Sequence, residues 1–304
     1  MTDLSVIVAA HDAEMYLERC LSELSGTAAV DELILVDIAS TDGSVALVRE
    51  RFPDVRLIEL AENQGYGSGL NAGMEVAGGT YLLLMNADAW PRPGGVEALL
   101  EFARGERGGT VVGPRLLNVD GTLQPSVRGF PTPWRLATEY FFLRWFAPRT
   151  RVLNAFYGAG FDHRSTRDAE FLVGAVLLVP RAIVDEVGGF DPEFFMFNEE
   201  VDFCYRVREA GRRVVFFPGA EFVHVGGAST RRQWSRMYRE QLRSHLRFQV
   251  KHHGYGQAER ARRLMLWAMR LRSLVFRGER RKLSRQAATY LAGGDAAELL
   301  ERAA

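Results

Sequence analysis

The sequence predicts an α/β fold: an open, mostly parallel sheet flanked by helices, with a helical extension at its C-terminal end. Three observations predict it. Short, almost wholly apolar runs, as expected of parallel strands buried on both faces, recur along the first third of the chain. Between them, apolar residues fall at helical spacing. Two of the runs end on or beside an aspartate, Asp37 and Asp88, and in open α/β sheets ligands bind beyond the carboxyl ends of the strands.

Leu4 to Ala9 reads as the first buried strand, and Met15, Leu17, Cys20, Leu21 and Leu24 as the apolar face of the helix after it. Leu33 to Asp37 is a second strand. Ser40-Thr41-Asp42-Gly43 can turn the chain and cap a helix carrying Val45, Leu47 and Val48. A third strand is expected over 55–60, a glycine-rich turn and short helix over 63–77, and a fourth strand over 81–85, leading into Asn86-Ala87-Asp88. Residues 118–170 break this order with aromatic, proline-punctuated sequence and are expected to form an insertion or flap on the acceptor side. Strands are then expected over 171–179, 214–217 and 222–224, with a helix over 199–210. The catalytic part is expected to span 1–228. A basic helical extension, broken near Gly254-Tyr255-Gly256, is expected over 229–304.

The 304 residues are 47% hydrophobic, enough for a substantial core, and 38 basic side chains balance 38 acidic ones. The balance is local rather than uniform, because Arg, Lys and His crowd the sequence from Arg231 onward. Such asymmetry points to a surface that meets phosphate or lipid. No nucleic-acid recognition motif accompanies the charge, so no nucleic-acid partner is expected. Cys20 and Cys204 lack metal-site spacing and suit a reducing compartment. No stretch has the roughly 20 apolar residues of a membrane span, and the start lacks a leader pattern. The expectation from these features is a cytoplasmic protein, soluble or peripheral on a membrane.

Asn86 and Asp88 stand two residues apart at a strand end, so extended backbone lets both face one metal ion, although an ordinary Asn/Asp turn after a strand gives the same pattern. Glu199, Glu200 and Asp202 crowd a helix start after the apolar run Phe194-Phe195-Met196-Phe197, a setting that suits a general base but also simply suits the helix dipole. His224 closes a strand before Gly226-Gly227 and is a candidate ligand. Asn63-Gln64-Gly65-Tyr66-Gly67-Ser68-Gly69 looks like a dinucleotide fingerprint, but it follows the third strand instead of the first. An NAD site is therefore not expected, and Gly67 and its neighbours are expected to let backbone approach a nucleotide.

Taken in order, Val6-Ile7-Val8, Val36-Asp37, Ser40-Thr41-Asp42-Gly43-Ser44, Asn63 to Gly67, Asn71-Ala72-Gly73 and Asn86-Ala87-Asp88 resemble the family 2 glycosyltransferases of the GT-A fold. Gly174-Ala175, Val187-Gly188-Gly189-Phe190-Asp191, Phe194-Phe195-Met196, Glu199 to Cys204 and His224 resemble its rhamnosyltransferase-like branch. The resemblance covers roughly residues 4–228. It implies that Asp37 bonds a pyrimidine base near the backbone of Ala9 and Ala10, and that Asn63 and Asn71 frame the nucleotide pocket. Asp88, with Asn86 and Ala87 beside it, would hold Mg2+ or Mn2+ together with His224. Glu200 stands where the family carries an aspartate base, with Glu199 and Asp202 as alternatives. Ile38 stands where asparagine is usual after Asp37, and Ala87 where proline is frequent.

The activity implied by the resemblance is an inverting transfer from a nucleotide-diphosphate sugar, dTDP-L-rhamnose, to a polyprenyl-diphosphate-linked sugar in cell-wall or surface-polysaccharide synthesis. The alternatives are a UDP-sugar donor, a catalytically silent nucleotide-sugar binder, or a membrane-bound scaffold. The basic stretches Arg231 to Lys251 and Arg262 to Arg277, interleaved with Trp234, Tyr238, Leu242, Leu246, Trp267, Leu271 and Leu274, are expected either to meet an anionic membrane or to pack internally.

Overall fold

The computed structural model describes residues 2–106, 109–143, 150, 152–154, 156, 160–226, 234–294 and 296. They fall into two compact units, one of residues 1–127, 162–195 and 199–232, the other of 128–161, 196–198 and 233–304.

The first unit is built on a sheet. Its strands are β1 (Leu4–Ala10), β2 (Glu32–Ile38), β3 (Arg56–Leu60), β4 (Tyr81–Asn86), β5 (Ala89–Pro91), β6 (Thr110–Leu117) and β7 (Leu123–Gln124). After the two-residue β8 (Val127–Arg128) come β9 (Arg167–Asp168), β10 (Phe171–Leu172), β11 (Val176–Pro180) and β12 (Arg213–His224). The main sheet runs β3-β2-β1-β4-β11-β6-β12-β5. β1 pairs in parallel with β2 and β4, whereas β11 is antiparallel to β4. Between β1 and β4 the connections diverge, to β2 and β3 on one side and to the rest of the sheet on the other. That is the switch point where α/β sheets open a ligand crevice.

The sequence explains the strands directly. Every residue of β1 is buried, as its unbroken apolar run requires. Six helices belong to this unit: α1 (Glu14–Ser25), α2 (Ser44–Arg51), α3 (Tyr66–Val76), α4 (Gly95–Gly105) and, past α5, α6 (Arg181–Val187) and α7 (Glu199–Glu209). Leu17, Cys20, Leu21 and Leu24 of α1 pack into the same core as Val6, Val8 and Leu35. The expected turn before α2 is present: Asp42 Oδ1 accepts from the Ser44 amide at 3.0 Å, and Asp37 Oδ2 from the Ser40 amide at 3.0 Å.

Three expectations differ in detail. The run 171–179 is not one strand, because Val173-Gly174-Ala175 interrupts it between β10 and β11. The segments 214–217 and 222–224 are one strand, β12, whose register shifts between Phe217 and Glu221. Continuous pairing with β6 on both sides of the bulge holds it together. The excursion over 118–170 is divided, with 128–161 grouping with the C-terminal helices.

The second unit contains α5 (Pro133–Tyr140), α8 (Trp234–Val275) and α9 (Gly278–Ala292). Thr132 caps α5 by accepting from the Arg135 amide, and Pro133 occupies the first turn, where its missing N–H costs nothing. α8 is broken at Gly254, whose φ of 77° a glycine reaches without strain, at the place where the glycines predicted a break. Leu136, Tyr140, Leu242, Leu246, Met265, Met269 and Leu291 form its core. No helix among the described residues is long and apolar enough to cross a membrane.

Candidate active site

Strand register brings the predicted residues to one edge of the sheet. Ala10 pairs with Asp37, and Ala9 with Asn86, so Ala9, Ala10, Asp37 and Asn86 lie at the carboxyl ends of three adjacent strands. β12 runs antiparallel to β5 with His224 opposite Ala89, which sets His224 beside Asp88. The Val225 amide donates to the Asp88 carbonyl at 3.0 Å and the Gly226 amide to Asp88 Oδ2 at 3.2 Å, closing the corner. His224 Nε2 then lies 3.4 Å from Asp88 Oδ1 and 3.2 Å from Asn86 Nδ2. As placed, the Asn86 amide nitrogen faces the imidazole. Ala87 is buried in the core beneath the turn.

Asp37 is 3% exposed, and its Oδ1 has no hydrogen-bond partner. A buried acceptor left unsatisfied is costly, and this one lies at the carboxyl end of β2, one strand from the switch point, where a ligand N–H would satisfy it. Asn63 Oδ1 accepts from the Gly65 amide at 3.0 Å, shaping the turn into α3. Gly65 has a φ of 99°, and a Cβ there would meet the Phe195 carbonyl. Both ends of the Asn71 amide are engaged by the Phe190 backbone, at 2.7 and 2.8 Å. Asn71 therefore holds the 188–190 turn. Gly67 is buried with its α-carbon close to the Phe190 and Glu199 side chains, so its lack of a side chain serves protein packing.

The three acids at the start of α7 have different surroundings. Asp202 is wholly buried, and its Oδ2 accepts from Arg206 Nε at 2.8 Å. Arg206 in turn donates to the Val187 and Gly189 carbonyls, so this ion pair ties α7 to the 187–189 turn. Glu199 is 6% exposed with Oε2 unpartnered. Burial, with the Glu200 charge adding to it, pushes its pKa well above the usual carboxylate range. Burial likewise raises the Tyr66 phenol well above its ordinary value, with Glu199 and Asp88 contributing. Tyr66 donates to the Gly174 carbonyl at 3.2 Å. Glu200 is half-buried against Gly174, where an added Cβ would stand 3.0 Å from the Glu200 Cβ.

Two neighbours of these residues, Gln124 and Arg206, carried no signal in the sequence, and Tyr66 and Gly174 stood in its motifs without a role of their own. Gln124 Oε1 lies 2.6 Å from His224 Nδ1. The contact spans 100 positions and depends on the β6–β7 hairpin, which no local pattern announces.

Comparison with known proteins fits this geometry. Residues 5–166 match the Glycosyl transferase family 2 model, and residues 125–287 match the related Glycosyl transferase family group 2. The chain is 32% identical to an N-acetylglucosaminyl-diphospho-decaprenol L-rhamnosyltransferase of Mycobacterium tuberculosis, over 93% of this chain and 98% of that one. Among solved structures it is similar to S. aureus TarS 1-349 in complex with UDP-GlcNAc, with a TM-score of 0.58 at 16% identity, covering 99% and 83% of the two chains. A mannosyltransferase from Pyrobaculum calidifontis in complex with GDP-Man and Mn2+ gives a TM-score of 0.56 at 17% identity, also over 99% and 83%. These structures share the fold. The chain belongs to glycosyltransferase family 2 and is rhamnosyltransferase-like.

Proposed function

We propose that this chain transfers L-rhamnose, with inversion, from dTDP-L-rhamnose to a polyprenyl-diphosphate-linked sugar in cell-wall or surface-polysaccharide synthesis. The observation that carries the reading is the convergence, at one sheet edge, of a vacant buried acceptor on Asp37, the Asp88–His224 pair and Glu200. The choice of sugar and acceptor rests on the relative that shares 32% of its residues over nearly its whole length.

Asp37 Oδ1 accepts the base N–H and orients the donor. Glu200 takes the proton of the acceptor hydroxyl while that oxygen forms a bond to the anomeric carbon. The bond from that carbon to the diphosphate breaks on the opposite face, and the nucleoside diphosphate leaves with its electron pair. One displacement inverts the centre. Glu199 is disfavoured as the base because its surroundings favour the form that already holds a proton. Asp202 is disfavoured because Arg206 occupies its oxygen.

A divalent cation, Mg2+ or Mn2+, fits the Asp88 carboxylate and the His224 imidazole nitrogen. Among the described residues no three His, Cys, Asp or Glu side chains cluster as a self-sufficient cage. Asp88 and His224 would be its protein donors, and the substrate's phosphates and water would supply the rest. Bound there, it supplies charge neutralisation for the departing diphosphate.

The membrane partner is assigned to one face of α8. Tyr238, Leu242 and Leu246 belong to the helical core, so the first basic stretch packs internally. Trp234, Arg231 and Arg232 lie outside the described side chains. In the second stretch Trp267 is 65% exposed and Leu274 77%, with Leu271 and Val275 exposed on the same face and Arg263, Arg270 and Arg277 exposed around them. An apolar face rimmed by arginines suits the anionic inner leaflet of a bacterial membrane.

The test is nucleotide release from a panel of nucleotide sugars. Glu200→Gln preserves shape and removes basicity, so turnover should fall by ~10²-fold or more while donor binding by calorimetry survives. Near-normal turnover in Glu200→Gln with a dead Asp202→Asn would move the base to Asp202. Donor binding without release in the wild type would make the protein a silent binder.

A further inference from the structure

The β6–β7 hairpin ends in a relay of hydrogen bonds that runs to His224. Asn118 to Thr122 form its turn, with the Asn118 amide donating to the Thr122 carbonyl at 2.8 Å and Gly121 at a φ of 81°. Thr122 Oγ1 donates to Asp120 Oδ1 at 2.6 Å, and these contacts, with the Thr122 amide, hold Asp120 below the usual carboxylate range. A carboxylate only accepts, so the direction of each following bond is fixed from this end. Asn118 Nδ2 donates to Thr122 Oγ1 at 2.9 Å, and Asn118 Oδ1 accepts from Gln124 Nε2 at 3.0 Å. Gln124 Nε2 also donates to the His224 carbonyl at 3.1 Å, an acceptor that cannot reverse. Its Oε1 is thereby turned to His224 Nδ1 at 2.6 Å.

An amide oxygen carries no proton, so the proton in that last bond belongs to Nδ1. The ring then presents its lone pair at Nε2, the atom that faces Asn86 Nδ2 at 3.2 Å and Asp88 Oδ1 at 3.4 Å. The opposite tautomer would spend Nε2–H on Asp88 and leave Nδ1 facing another lone pair.

We propose that Gln124 is a positioning residue that holds His224 in its Nδ1–H tautomer, so that Nε2 and Asp88 Oδ1 form a ready donor pair for a divalent cation. The proposal rests on reading this corner as the cation site. Outer partners of ligating histidines commonly change metal affinity by about 10- to 100-fold when removed. Gln124→Leu removes the acceptor. Gln124→Glu keeps an oxygen opposite Nδ1.

The experiment uses full-length protein with 15N-labelled histidine rings and needs no turnover. Long-range 15N–1H correlations of His224, assigned through His224→Gln, should show Nδ1 protonated and Nε2 bare in the wild type and in Gln124→Glu. In Gln124→Leu the Nε2–H form should appear. Mn2+ affinity, read from the signal of free Mn2+ with and without a nucleoside diphosphate, should fall about tenfold or more in Gln124→Leu. In Gln124→Glu, which keeps an acceptor opposite Nδ1 but loses the donor to Asn118 Oδ1 and the His224 carbonyl, it should fall less than in Gln124→Leu, a partial rescue that a packing role would not produce. A protonated Nε2 in the wild type, or a Gln124→Leu protein with unmoved tautomer and affinity, overturns the proposal alone. Wild-type protein that holds no Mn2+ under either condition overturns the cation reading beneath it.

Discussion

Adding one methyl group at Gly174 tests whether Glu200 is held where the reaction needs it. The Cβ of Gly174→Ala would stand 3.0 Å from the Glu200 Cβ and 3.3 Å from its Cγ. Carbon atoms settle at about 3.5–4.0 Å, so something must yield by roughly 0.5 Å. Gly174 is pinned from behind by Tyr66, which donates to its carbonyl. Glu200 sits in the first turn of α7, whose backbone is anchored through Asp202 and Arg206. The yielding is therefore shared, and much of it falls on the Glu200 carboxylate. A misplacement of about 1 Å can cost on the order of 10²-fold in rate, so about tenfold is expected in kcat. KM for the donor should barely move, because Asp37 and Asn63 lie on other strands and turns. Stability should drop by about 1–3 kcal/mol from overpacking. Steady-state nucleotide release and a urea titration read both effects. Gly105→Ala is the control, since nothing lies within 4 Å of a Cβ there. A Gly174→Ala enzyme with wild-type kcat would refute the assignment of Glu200 as a positioned base.

Arg206→Leu should destabilise the sheet unit by about 3–5 kcal/mol in urea unfolding, because it strips the buried Asp202 carboxylate of its guanidinium partner. Asp202→Asn in the same background should recover much of that loss, and no recovery would argue against the ion pair as the cause. Burial lowers the His245 pKa from 6.5 to about 4. The unfolded chain binds that proton more readily, so stability is complete above about pH 6.5 and falls by about 3 kcal/mol as pH drops toward 4. His245→Leu should flatten that limb of the pH–stability curve, and an unchanged slope would assign it to other groups. Trp267→Ser with Leu274→Ser should cut co-sedimentation with anionic vesicles by roughly tenfold or more at low salt. Equal pelleting of wild type and variant would leave this face without a lipid role.

The sheet was legible because its strands are buried on both faces, and continuous apolar runs such as Leu4 to Ala9 have few other solutions. α4 and β6 carried no expectation. The run Thr110 to Leu117 is broken by Gly113 and Pro114, yet β12 pairs along it on both sides of its bulge, so tertiary pairing overrides the local breakers. In the site, strand-end acids announced themselves because residue type and position coincide at Asp37 and Asp88. The distinction among Glu199, Glu200 and Asp202 did not, since it depends on Arg206, Gly174 and burial. The exposed apolar stripe of α8 was half legible. Helical spacing gave two apolar faces, but only burial shows that Leu242 and Leu246 face the core while Leu271 and Leu274 do not.

The chain enters α7 through residues 196–198, which group with the C-terminal helices. Phe197 and Asn198 both hold φ near 65°, a region costly for residues other than glycine, and the next residue is Glu199. Such strain persists only where neighbours overdetermine it. Here Ser244 Oγ donates to the Met196 carbonyl at 2.9 Å, and the Asn198 amide meets His245 Nδ1 at 2.9 Å, from adjacent residues of α8. Residues 196–198 are thus fastened within the helical unit, and the chain passes from them straight into α7 and its acids. Deleting the chain from about residue 256 would strip Met265 and Met269 from the core that steadies Leu242 and Leu246, on the same helix as Ser244 and His245. Lost activity in a truncated protein would then result from a loosened approach to Glu200 as readily as from lost membrane contact. Substitutions confined to the exposed face, at Trp267 and Leu274, separate the two because they leave that fastening intact.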